Sequence, residues 1–84
     1  MSLYLVSCDL KHHQEFGDYD YFRLELKKFR AEKLLQTTWA LSSSLNSEAI
    51  RDSLMKFMHK DDRIVVAEIS VTNWAVWKSL FEIT

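Results

Sequence analysis

Proline is absent and glycine occurs once, where average usage in 84 residues gives roughly four prolines and six glycines. A single glycine excludes a GxGxxG dinucleotide loop and a P-loop, because each needs at least two. A single cysteine, Cys8, excludes a disulfide framework and every multi-cysteine zinc site. It lies in an apolar stretch, where it reads as a small buried hydrophobe suited to a reducing compartment. No apolar run approaches the roughly 18 residues of a membrane span. The apolar start, Met1–Leu10, lacks a basic flank and is interrupted at Asp9, so it does not read as a signal peptide, and a cytoplasmic location is expected. Charge of one sign is also lacking. Eleven basic residues stand against 12 acidic ones, a net charge of −1, so no global positive field draws in nucleic acid.

What is present is the profile of one folded globular domain spanning residues 1–84, with 48% hydrophobic and 27% charged residues. Leu3–Cys8 is rich in β-formers and apolar at both odd and even positions, which predicts a strand covered on both sides. Lys11–Gly17 is polar and reads as a loop. Asp18 is the expected N-cap of a first helix over Tyr19–Phe29, in which Tyr19, Phe22, Leu26 and Phe29 form the core stripe and Asp20 favours the first turn. Glu32–Gln36 predicts a short second strand. Thr38–Ser42, where Trp39 and Leu41 alternate with smaller residues, predicts a third, with no standard two-residue hairpin signalled near Thr37. Asn46 is the expected N-cap of a second helix over Ser47–His59, striped by Ile50, Leu54, Phe57 and Met58, with His59 and Lys60 complementing the dipole at its end. Asp61-Asp62 reads as a turn. Arg63–Ser70 is a strand apolar on both faces. Trp74, Trp77 and Phe81 predict a short C-terminal helix or arm.

Two strand–helix–strand halves with right-handed crossovers predict an α+β, ferredoxin-like βαββαβ sandwich: a four-stranded antiparallel sheet with two helices on one face. The other sheet face would then be bare and apolar, which calls for a partner. A second copy packed sheet to sheet is the economical one.

Several segments carry a resemblance. YLVSCDL at 4–10, TTWAL at 37–41, EAIRDSL at 48–54 and DDRIVVAEIS at 61–70 resemble, in order and spacing, the small ferredoxin-fold proteins that include the CRISPR-associated endoribonuclease family. The nearer likeness is to the SinR-like subgroup, and the virulence-associated protein D toxins share the fold. The resemblance covers about residues 3–77 and implies a homodimer. The Asp that ends the first strand, here Asp9, then faces its symmetry mate and holds a divalent metal, Mg²⁺ or Mn²⁺ in its place. It further implies metal-dependent hydrolysis of RNA or DNA, or else a non-catalytic module that binds nucleic acid or a protein partner. The chain departs from the family pattern with Cys8 where Tyr is usual and with its slightly acidic balance. The acidic balance favours the non-catalytic module.

Asp9 is the candidate catalytic and metal-binding residue, because hard cations take one or two carboxylates and keep several waters. Its structural alternative is a turn carboxylate that accepts backbone N–H groups. His12 and His13 follow it as candidate acid/base or phosphate contacts, against solvated loop histidines. Arg23, Lys27 and Arg30 recur at four and three, a basic stripe able to contact phosphates on nucleic acid or to sit solvated beside Glu25 and Glu32. Trp39, Trp74 and Trp77 suit packing better than base stacking. Three histidines without metal-ligand spacing argue against zinc, and a Ser-His-Asp triad has no support.

Overall fold

The structure is a computed structural model that describes residues 1–12, 19–70 and 75. Its elements run β1 (Ser2–Asp9), α1 (Asp20–Lys28), β2 (Glu32–Leu35), β3 (Thr38–Ser43), α2 (Ser47–Met55) and β4 (Arg63–Glu68). All strand pairs are antiparallel and the sheet order is β2-β3-β1-β4, the ferredoxin-like arrangement with β1 and β3 at the centre. The expected C-terminal helix or arm and the Asp18 cap lie outside the described residues.

Alternation along β1 sorts its side chains. Tyr4, Val6 and Cys8 join Trp39 and Leu41 of β3, Phe22 and Leu26 of α1, and Ile50 and Leu54 of α2 in one buried cluster. Both helices therefore cover the same sheet face. Phe22, Ile50, Leu54 and Val6 are fully buried, and each contributes about 1.5–3 kcal/mol relative to exposure. Trp39 packs edge-on against Phe22, so its place is structural.

α1 starts at Asp20, with Tyr19 at the N-cap position and no side-chain cap bond. Its end is a Schellman motif. Arg30 donates to Lys27 O, Ala31 donates to Leu26 O, and Arg30 takes φ 57°. α2 starts as expected, with Asn46 Oδ1 accepting from Ala49 N at 2.8 Å. It is shorter than the periodicity predicts, ending at Met55. The amides of Phe57 and Met58 bond to Leu54 O and Met55 O, which tightens the last turn and carries the chain off the helix axis. His59 is therefore not at the helix terminus, and dipole complementation does not explain it.

The β2–β3 connection is after all two residues, Gln36 and Thr37. Neither has positive φ, so it is not a mirror-image turn. A register shift between Lys33 and Leu35 bulges the edge strand at Leu34 and absorbs the twist instead.

The second sheet face is only partly bare. Register places Leu3, Leu5, Ser7 and Asp9 of β1 beside Ser42, Ala40 and Thr38 of β3 and Ala67, Val65 and Arg63 of β4. Leu3 and Leu5 are half-buried, and Ala40, between the larger Leu5 and Glu32, is buried. The exposed apolar surface lies on the two edge strands, at Val65 of β4, 64% exposed, and at Leu35 of β2, which pairs with Thr38 and is 51% exposed.

Candidate functional site

Two acids flank the buried Cys8, and they differ in every respect. Asp62 follows α2 and closes the turn before β4. Its carboxylate accepts Lys11 N–H at 2.8 Å and His59 N–H at 2.8 Å, and Tyr19 Oη–H donates to it at 2.9 Å. The Tyr19 oxygen in turn accepts His12 N–H at 3.1 Å. Burial pushes the Asp62 carboxyl up, but these hydrogen bonds, with the nearby His59 charge, outweigh it and hold the group below its usual 3.8. The His12 ring lies 4.2 Å from that of His59, which also meets Tyr19 edge-on at 5.4 Å. The residue that fastens the loop after β1 to the turn before β4 is thus Asp62. In sequence it shows only as the second half of an Asp-Asp turn.

Asp9 is the opposite case. It ends the central strand β1, is exposed, and lies on the sheet face away from the helices. No hydrogen bond or ion pair holds its carboxylate among the described residues. The turn-acceptor role weighed for Asp9 therefore belongs to Asp62. Its cross-strand partner is Arg63. Beside it on the same face, Ser7 Oγ and Thr38 Oγ1 pair at 3.1 Å. A cavity of about 360 Å³ opens at Asp9, with Lys11, Thr37 and Leu10 in its walls. Cys8 also borders it, but its thiol is pushed up to about 12 by burial, then by the charges of Asp62 and Asp9. It is therefore a poor nucleophile at neutral pH.

The other sequence candidates disperse. His12 is half-buried in the Tyr19–His59 cluster and is not a free loop side chain. His13 lies outside the described residues. Arg23, Lys27 and Arg30 are exposed but border three different hollows. Arg23 sits near Trp39, and Lys27 beside Tyr21, Leu24 and Phe57. Arg30 stands at the far end of the sheet beside Met1 and Leu3. Arg30 is past the end of α1 in a left-handed conformation, which takes it off the helical stripe. Arg23 makes a 3.7 Å contact with Asp20, and Lys28, not Lys27, pairs with Glu25 at 3.5 Å.

An ion at Asp9 would find few protein ligands within one copy of the chain. Among the described residues no group of three or more His, Cys, Asp or Glu could hold an ion. One unpaired carboxylate matches the sparse protein ligation of Mg²⁺, which retains most of its waters. No helix among the described residues is long and apolar enough to cross a membrane.

No family model matches the chain, and no curated protein matches it significantly.

Proposed function

We propose that this protein is a homodimeric, divalent-metal-dependent phosphodiesterase acting on RNA or DNA, with Asp9 of each copy at a shared Mg²⁺ or Mn²⁺. One observation carries the reading: Asp9 is an exposed carboxylate on the central strand β1 with no hydrogen bond or ion pair among the described residues, while the structural work of an acid in this region is done by Asp62. An ion bound there would neutralise phosphate charge and acidify a bound water. Asp9 supplies the ligand oxygens. Arg63, its cross-strand neighbour, supplies a guanidinium suited to a phosphate oxygen. Lys11 in the cavity wall adds a second cation.

The experiment is cleavage of labelled RNA and DNA with Mg²⁺ or Mn²⁺. Asp9→Asn is expected to abolish turnover while leaving the melting temperature unchanged, because the carboxylate makes no hydrogen bond or ion pair among the described residues. Turnover that survives the substitution overturns the reading.

The second reading, a non-catalytic nucleic-acid-binding or protein-scaffold module of the same fold, is favoured by Arg63. A guanidinium opposite Asp9 competes with a cation for the carboxylate. It predicts salt-sensitive binding without turnover under any metal.

A further inference from the structure

The cavity at Asp9 does not end at its own walls. A second cavity of about 250 Å³ shares Leu10 and Thr37 with it and continues over the β2–β3 turn to Arg23, Lys33 and Gln36, on a floor of Phe22 and Trp39. Among the described residues the two are lined by three cations, Lys11, Arg23 and Lys33, and one acid, Asp9, in a chain whose net charge is −1. This lining is richer in cations than the chain as a whole.

The cations come from three separate places in the sequence, so no local spacing reveals them. Lys33 is brought to the helix side of edge strand β2 by the register that pairs it with Trp39. Its Nζ sits 5.9 Å from the Trp39 ring centroid. That contact holds the ammonium in place but offers its N–H donors no acceptor oxygen. Among the described residues the Arg23 guanidinium makes one ion pair, the long, exposed contact to Asp20, of a kind that contributes little and yields readily to a phosphate.

We infer that the joined cavities are a track for the backbone of a single-stranded nucleic acid leading away from Asp9, with Lys33 and Arg23 each contacting a phosphate and Gln36 and Thr37 offering neutral hydrogen bonds between. Hollows of this size admit one strand in sequence, whereas a duplex would rest across their rims. The inference relies on the proposed phosphodiesterase reading for what happens at the Asp9 end, but not for binding along the track.

The test is fluorescence anisotropy of the full chain with a short labelled oligo-dT, in EDTA so that metal binding plays no part, over a series of salt concentrations. Each phosphate contact contributes about 0.7 to the slope of log affinity against log salt for a single strand, so Arg23→Ala with Lys33→Ala is expected to make the slope shallower by about 1.4. Lys33→Arg should keep the native slope, as should Lys56→Ala with Lys60→Ala, two exposed lysines away from the path. Asp9→Asn, which removes the one acid counted along the path, should bind no more weakly than the native chain. Circular dichroism melts verify that each variant folds. An unchanged slope in the Arg23/Lys33 double variant overturns the track, as does absence of binding at low salt or a duplex of the same sequence competing as well as the single strand. Loss of turnover in Asp9→Asn with an unchanged slope in the double variant refutes the track and keeps the phosphodiesterase. A shallower slope with no turnover under any metal does the reverse.

Discussion

At the residue scale the decisive contrast is between two aspartates on either side of Cys8. A carboxylate that accepts two backbone N–H groups and a tyrosine hydroxyl has its lone pairs committed, and it serves the fold. One with no partner is available for a ligand. The commitment of Asp62 has a pH signature. Its folded-state pKa lies below the unfolded value of 3.8, so its stabilisation is present above that pH and is lost as pH falls through the lower folded value. Asp62→Asn keeps the shape but sets an NH2 donor where one carboxylate oxygen accepted a backbone N–H, so it loses one of these bonds and the charge assistance of the others, and a cost of about 1–3 kcal/mol is expected at pH 7. Urea unfolding of both proteins at pH 7 and near pH 3 checks this: the gap should narrow in acid, and a gap of equal size at both would show that the charge contributes nothing.

Elements carry the second lesson, because each helix begins and ends for a local chemical reason. α2 begins where Asn46 caps Ala49, a bond worth about 1 kcal/mol. Its apolar stripe continues through Phe57 and Met58 after the helix has ended, since a tightened turn still leaves both half-buried against the core. Periodicity therefore overran the helix, and with it the role of His59, which that turn brings onto His12. α1 ends with a non-glycine residue in the left-handed region. That conformation costs Arg30 about 1–2 kcal/mol, while a glycine there would give back about 0.5–1 kcal/mol in unfolded-chain entropy. Arg30→Gly should consequently raise the melting temperature by a few degrees, about what 0.5–1 kcal/mol yields in a chain of this length. A fall would mean that the Arg30 side chain makes a stabilising contact that outweighs its backbone strain.

For the whole molecule, the open question is what meets the second sheet face. Asp9 can share a metal only if two copies meet there, and the exposed apolar ground on that face includes Val65 and its neighbour Ala67 on β4 and Leu35 on β2. Light scattering at micromolar concentration should give twice the chain mass of 10.0 kDa. Val65→Lys should give the single-chain mass with little loss of subunit stability, because the side chain is already 64% exposed. A native chain that runs as a monomer removes the paired-Asp9 arrangement from the proposed function.

The ferredoxin-like layout was written in the chain itself. The six elements in order, the core residues Phe22, Trp39, Ile50 and Leu54, and the Asn46 cap all follow from local alternation, helical spacing and capping chemistry, which act over a few residues. Tertiary structure alone decided which of the aspartates is tied down, which alternate side chains of β1 enter the core, that the His12 and His59 rings meet, and that Lys33 of an edge strand and Arg23 of a helix line one cavity. These facts depend on contacts between residues far apart along the chain, set by strand register and by a bulge and a tightened turn that leave no signature in local spacing.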